Sequence, residues 1–373
     1  MKIGILGGGQ LGRMLLQAAA NYTVETFVLE NDAACPAAHL CHHFVLGDIK
    51  DYETVLSFGR QLDVLTIEIE AVNTDALEQL EREGIVVIPS PKAIQTIRNK
   101  ITQKIFYKDA GIPSADFRIT EQKKDIRLHL DFLPAAHKIG EGGYDGKGVE
   151  MIETEQDIEV GFDAPAVLEK RIDIKQEIAI IVAKSTTGEV AIYPPVEMIF
   201  DPNLHLLDYQ ICPAALQEQQ LWKAEALAQA VVNGLGGAGL FAVELFIDQQ
   251  NNVWVNETAP RVHNSGHHTI EAHFSSQYDM LLRIMLGYPL GNTDKIVASS
   301  IVNILGAPDY NGTAYYDGMN EVMEMENVFV HLYGKAITKP GRKMGHVTIL
   351  SNDKQELTYK ANKIKHTLRV ITK

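Results

Sequence analysis

The sequence predicts an α/β protein (α+β overall), with a parallel-sheet unit first, a strand-rich middle and a small β-rich C-terminal part. Three observations carry this. Short apolar runs alternate with amphipathic stretches from residue 1 to about 98, the pattern of a parallel sheet with helices on both faces. Beyond that point the strands become dense, with a glycine-rich loop between two of them. The last seventy or so residues, from "ASSIVNILG", read as short strands and turns. The expected divisions are 1–98, 99–296 and 297–373.

In the first unit "KIGIL", "ETFVLE", "HFVLGD", "DVLTIEIE" and "GIVVIP" read as strands. The first runs into Gly7-x-Gly9-x-x-Gly12, and the second ends in Glu30. That spacing is the dinucleotide fingerprint, in which glycines let the backbone approach a phosphate at a helix start. An NAD-dependent oxidoreductase is therefore one reading of the opening. "IPSPKAIQTIRNK" closes the unit and starts a helix.

In the middle, "AAHKIGEGGYDGKGVEMI" reads as a hairpin with a mobile glycine tip. Lys138, Lys147 and the amides of Gly142, Gly143, Gly146 and Gly148 could wrap an anion, although the Walker pattern is absent. A plain flexible tip is the alternative. "LWKAEALAQAVVNGLG" has helical apolar spacing, and "GLFAVELFID" and "NNVWVNETAP" form a hairpin around "DQQNN". That hairpin sets Glu244 and Glu257 in apolar surroundings, where paired carboxylates need a counter-charge such as Mg²⁺. Alternation placing each acid on a wet face would serve equally well.

Arg261, His263 and Asn264 follow Glu257 in "PRVHNSGHHTIEAH". Its four histidines invite a metal reading, which the absence of HExxH disfavours. Cys35, His39, Cys41 and His42 lack a second ligand pair at finger-like spacing, so a packed loop is expected there. Lys335, Arg342 and Lys343 flank a Pro-Gly turn suited to a phosphate monoester, or to plain solvation. The chain is expected to end in a basic amphipathic helix, "ELTYKANKIKHTLRV".

The 373 residues carry a net charge of −14, with 46% hydrophobic and 22% charged residues. That balance argues against a nucleic-acid surface and fits small-molecule chemistry. No apolar run nears the roughly 18 residues that span a bilayer, and the chain opens on a strand, so a cytoplasmic protein is expected. Three cysteines without a CxxC argue against a disulfide framework.

Taken in order, "GILGGGQLGRM", "TIEIEAV", "GGYDGKG", "AVELF", "VNETAPRVHNSGHHTIEA" and "HLYGKAITKPGRKMGH" resemble the ATP-grasp superfamily, and in detail the N5-carboxyaminoimidazole ribonucleotide synthetases of purine biosynthesis. The resemblance implies a Rossmann-like pre-ATP-grasp domain, an ATP-grasp domain and a β-rich C-terminal domain. It implies an ATP-dependent ligase that phosphorylates bicarbonate to carboxyphosphate and carboxylates 5-aminoimidazole ribonucleotide, as a homodimer, with ATP and two Mg²⁺ ions.

By position, it assigns Lys100 and Lys138 to the ATP phosphates, and Gly143, Tyr144, Asp145, Gly146, Lys147, Gly148 and Val149 to the nucleotide flap. Glu169, Lys170, Arg171 and Ile172 become the adenine hinge and Glu177 the ribose acid. Glu244 and Glu257 become the Mg²⁺ ligands, with Asn256 beside them. Arg261, His263 and Asn264 fall where bicarbonate reacts. Gln10, Leu11, Glu68, Tyr144, Asp145, Lys335, Arg342 and Lys343 fall on the ribonucleotide side.

Four positions depart from that pattern. Ile139 and Gly140 replace a threonine and an arginine, Val149 a glutamine, and Phe200 a histidine. The alternatives are a formate-dependent glycinamide ribonucleotide transformylase of the same superfamily, the NAD enzyme, and a non-catalytic nucleotide-binding regulator.

Overall fold

The computed structural model describes residues 1–143, 148–200 and 207–373. Strands Lys2–Leu6, Glu25–Glu30, His43–Leu46, Val64–Ile67 and Val86–Val87 form one sheet in the order third, second, first, fourth, fifth. Every pairing in it is parallel, as the alternation predicts. Parallel neighbours need crossovers, and Gln10–Ala19, Tyr52–Gly59 and Thr74–Arg82 supply helical ones. Asp51, Asn73 and Ser90 each cap a helix by accepting a backbone N–H, and Pro91 follows Ser90 in the first turn of Pro91–Arg98. The fifth strand is only two residues long, much shorter than "GIVVIP" suggests.

A four-stranded antiparallel sheet comes next, in the order Phe117–Thr120, Ala166–Lys170, Ala135–Ile139, Val149–Ile152. Its last two strands are the expected glycine-tipped hairpin. A nine-stranded antiparallel sheet, which touches it through Lys138 and Asn256, runs Val253–Ala259, Gly239–Asp248, Ile174–Lys184, Val196–Phe200, Leu207–Cys212, Ser299–Leu305, Lys343–Leu350, Val328–Leu332, with Val190–Ile192 on the third strand's flank. The C-terminal strands therefore extend the central sheet, because Ser299–Leu305 pairs with Leu207–Cys212.

The end of the chain corrects the sequence reading. The helix stops at Thr367, and Arg369–Thr372 forms a strand against Gly312–Asp317. Helical periodicity is blind to this, since a β-branched run around the buried Val370, as in "RVIT", suits a strand pairing that only the fold provides.

The two faces of the nine-stranded sheet differ. Ile178, Ile180, Val182, Phe241, Val243 and Leu245 pack beneath helix Glu218–Leu235. On the other face Ile181, Ala183, Leu240 and Ala242 meet helix Gln277–Leu286 and the first helix of the chain. Side chains alternate along a strand, and Ala179 pairs with Glu244. The apolar packing on that second face thus gives way, one position further on, to Glu244 and Glu177. The cleft begins there.

Candidate active site

Glu244 and Glu257 lie directly opposite each other on adjacent strands. A β-bulge follows at once, since Glu244 pairs with Glu257 but Leu245 pairs with Val255. Asn256 is the extra residue. Strict alternation would send consecutive side chains to opposite faces; a bulge re-aims one of them. Asn256 therefore reaches the cleft beside Glu257, where its Oδ1 accepts from Lys138 Nζ at 2.9 Å. Lys100 pairs with Glu257, and His263 Nε2 lies 3.7 Å from Glu244 Oε1.

Burial and the neighbouring Glu257 push the Glu244 carboxyl well up, while Lys100 holds Glu257 below the usual carboxylate range. The two side chains keep 19% and 40% of their surface open, so a ligand reaches them although protein surrounds them on most sides. Glu177, also on this face, is raised by burial to about 7. Three acids and two lysines on one cleft wall leave Glu244 short of compensation. A divalent cation bound through one or two carboxylates fits that donor set.

Lys138 also bonds Glu169 at 3.0 Å, and Lys104 approaches the same oxygen at 3.3 Å. Burial alone would raise Glu169, but the two lysines outweigh it and hold the carboxyl down. Burial lowers the Lys104 ammonium to about 8. Sequence reading missed Lys104; its one signal is the position four residues after Lys100, on the same helix face. The pair locks Glu169, whose strand ends at Lys170 where the chain crosses from the four-stranded to the nine-stranded sheet. Arg171 turns to Glu153, Lys170 donates to the carbonyls of Phe132 and Leu133, and Ile172 sits half-buried in the crossing.

The opening glycine turn is already filled. Glu30 accepts from the Gly8 amide at 2.9 Å, and Glu68 accepts from the Leu11 amide at 3.1 Å. A Cβ at Gly9 would fall 2.4 Å from Glu68 Oε1. Two carboxylates thus occupy the helix N-terminus that would otherwise attract a phosphate. Gly12 answers to a different need, because a side chain there would crowd the Gly7 carbonyl at 3.0 Å.

Arg261 pairs with Glu70 at 2.8 Å and stands in the fields of both Glu68 and Glu257, which links the two ends of the cleft. Both amide atoms of Asn264 are buried without a partner. On the far side, Lys335 donates to Gln10 Oε1 and to the Lys343 carbonyl, each at 2.7 Å, and Arg342 donates to the Ile337 carbonyl. Tyr144, Asp145, Gly146 and Lys147 lie outside the described residues. Around them, Gly148 has φ +91°, and a Cβ there would lie 2.9 Å from Gly143 Cα.

Among the described residues, the cysteine-histidine loop does not gather three or more ligand atoms at one point. His39 meets Arg13, His42 bonds Thr26, and Cys41 donates to the Ala38 carbonyl.

Family comparisons match this arrangement along the chain. The ribonucleotide synthetase preATP-grasp domain matches residues 1–98, the ATP-grasp domain 105–278, and the phosphoribosylaminoimidazole carboxylase C-terminal domain 299–360. The N5-carboxyaminoimidazole ribonucleotide synthase of Brucella melitensis is 33% identical, over 93% of this chain and 95% of that one. The chain belongs to the N5-carboxyaminoimidazole ribonucleotide synthase family.

Among solved structures, the Thermotoga maritima synthetase superposes with a TM-score of 0.92 at 35% identity, covering 100% of this chain and 99% of that one. The Aspergillus clavatus synthase, in complex with ADP and 5-aminoimidazole ribonucleotide, gives 0.87 at 33% identity, over 98% of each chain. The chloroplastic phosphoribosylaminoimidazole carboxylase of Vigna aconitifolia is 34% identical over 94% of this chain, which spans 64% of that longer relative.

Against the family pattern, the Gly140 departure has a steric account. Its carbonyl accepts from the Lys100 amide at 2.8 Å, its amide donates to Pro165 at 2.9 Å, and an added Cβ would lie 2.9 Å from the Pro165 oxygen. This chain places backbone, and no arginine, at the start of the Lys100 helix. Val149 pairs with Lys138 at the base of the hairpin, and Phe200 ends its strand with 37% of its surface open. Nothing in the structure explains the phenylalanine.

Proposed function

We propose that this protein catalyses ATP- and bicarbonate-dependent carboxylation of 5-aminoimidazole ribonucleotide, giving N5-carboxyaminoimidazole ribonucleotide, ADP and phosphate. The observation that carries it is the opposed Glu244–Glu257 pair ringed by Lys100, Lys138 and His263. Bound there, Mg²⁺ (two ions) would be held by Glu244 and Glu257 and would neutralise charge on the ATP phosphates.

Lys100 and Lys138 bind the phosphates, and residues 143–149 serve as the nucleotide flap. Residues 169–172 read adenine and Glu177 the ribose. Bicarbonate is a poor electrophile, and transfer of the γ-phosphoryl group to one of its oxygens creates a leaving group. Arg261, His263 and the unpartnered Asn264 amide hold the resulting carboxyphosphate out of water, which would destroy it. Loss of phosphate delivers the carboxyl carbon to the exocyclic amine, which gives up one proton.

Gln10, Leu11, Glu68, Lys335, Arg342 and Lys343, with Tyr144 and Asp145, hold the ribonucleotide. Glu68 and Glu30 filling the glycine turn count against a dinucleotide. The chain divides functionally at about 98 and 297. The working form is a cytoplasmic homodimer, in keeping with exposed Phe274 and Ile296 on neighbouring segments; among the described residues no helix is long and apolar enough to cross a membrane. Light scattering of the eluted peak tests the dimer.

Phosphate release from Mg-ATP and bicarbonate, with and without the ribonucleotide, tests the reaction. Strong stimulation is expected. Turnover with formate and glycinamide ribonucleotide instead would move the protein to the transformylase reaction, and nucleotide binding without any turnover would leave the regulator.

A further inference from the structure

A second cluster of metal-binding groups lies away from the ATP cleft. Cys212 ends the strand Leu207–Cys212, while His268 and His273 flank the short helix Thr269–Ala272. All three are buried, at 2%, 1% and 4% exposure, and their ligand atoms lie within 4.8 Å of one another. Among the described residues it is the only such group of three or more His, Cys, Asp or Glu side chains.

Three details point to a ligand. Cys212 Sγ stands 3.8 Å from His273 Nε2, near the roughly 3.5 Å that a tetrahedral zinc imposes between a thiolate and an imidazole nitrogen. His273 Nδ1 is engaged by the Thr293 carbonyl at 2.9 Å, which sets the proton on Nδ1 and leaves Nε2 as a donor pair. Both ring nitrogens of His268 are buried without a hydrogen bond; the Ser265 backbone comes near one of them without bonding geometry. A buried unpartnered imidazole is costly, and a core histidine ordinarily avoids that state.

A fourth group is close. Ser299 pairs directly with Cys212 across the strands, is fully buried, and its hydroxyl has no partner. Directly opposed residues share a face. The charged neighbours are Lys295 and Asp294, one of each sign.

We propose that Cys212, His268 and His273 form a structural site for a thiophilic divalent cation, Zn²⁺, with the Ser299 hydroxyl or a water in the fourth position. One thiolate and two imidazoles suit zinc and exclude Mg²⁺, which takes oxygen ligands. On binding, the Cys212 thiol releases its proton to solvent and the sulfur lone pair forms the bond, with no change in oxidation state. The ion ties the strand Leu207–Cys212 to the segment that begins at His263 and Asn264. It thereby braces the loop that carries the bicarbonate groups, without touching them.

Cobalt titration of the metal-stripped full chain is the test, read by absorbance. One equivalent of Co²⁺ is expected to give a sulfur-to-cobalt charge-transfer band, bleached by Zn²⁺. Cys212→Ser should abolish the band, His268→Phe should weaken cobalt affinity at least tenfold, and Cys41→Ser should leave both unchanged. Cobalt at Glu244 and Glu257 would show no sulfur band, so failure here is distinguishable from failure of the proposed reaction. A band that survives Cys212→Ser, or none in the wild-type chain, overturns the site. Should Cys212→Ser not fold, X-ray absorption of the zinc-loaded wild-type chain decides: one sulfur and two nitrogens support the site, and an all-oxygen shell refutes it.

Discussion

Replacing Glu244 and Glu257 by glutamine, one at a time, should abolish turnover in both variants while moving stability in opposite directions. The two residues face each other across neighbouring strands, and ~5 Å, the Cβ spacing typical of directly opposed residues, serves as the charge separation. At an effective dielectric near 20 their repulsion is about 3 kcal/mol. Both side chains are partly open, so screening reduces this to about 1–2 kcal/mol. Glu244→Gln removes that repulsion and should stabilise the ligand-free protein by this amount. Glu257→Gln relieves the same repulsion but leaves Lys100 without its partner; an uncompensated buried cation costs roughly 3–5 kcal/mol, so a net destabilisation of about 1–3 kcal/mol is expected.

The pH dependence carries the same sign. Glu244 has a folded pKa raised above 4.5, so its contribution is intact below pH 4.5 and is lost as pH rises through the folded value. Glu244→Gln should flatten that decline. Urea denaturation of both variants, without nucleotide or magnesium, from pH 5 to 8 is the assay, alongside phosphate release. Equal destabilisation of the two would refute the electrostatic reasoning. Turnover within tenfold of wild type in either would refute the metal assignment.

Other expected outcomes follow from single contacts. Arg342→Ala should raise KM for the ribonucleotide roughly 10–100-fold, the worth of a charged hydrogen bond, and leave KM for ATP unchanged; equal effects would end its phosphate role. Gly140→Ala puts a Cβ 2.9 Å from the Pro165 oxygen. Denaturation midpoints should show a loss of about 1–3 kcal/mol, and a displaced Lys100 should raise KM for ATP; an unchanged midpoint contradicts the steric account. Glu177, raised to about 7 by burial, should take up a proton as pH falls from 8 to 6 and weaken its hold on ribose hydroxyls. Glu177→Gln should show a shallower pH dependence of nucleotide Kd over that range, with Glu244 contributing the remainder, and an unchanged wild-type slope would show that Glu177 does not titrate there.

Local pattern was enough wherever the causes are local. Glycine spacing and apolar alternation announced the parallel sheet, and the "DQQNN" turn brought Glu244 and Glu257 onto one hairpin. The helix opening in "IPSPKAIQTIRNK" was legible too, where Ser90 caps and Pro91 starts Pro91–Arg98. Each of these depends on interactions within a few residues, where period and turn chemistry decide.

Only the tertiary structure could place the rest. The glycine turn is filled by Glu68, 57 residues from the Leu11 amide that it meets. Asn256 and Glu257 share the cleft through a bulge that depends on the pairing partner and leaves no sign in the strand's own residues. Lys104 and Glu169, Arg261 and Glu70, and the cluster of Cys212, His268 and His273 join segments that strand order alone brings together. Alternation states which face a side chain takes. Register and sheet order, set by packing over the whole chain, state what it meets there.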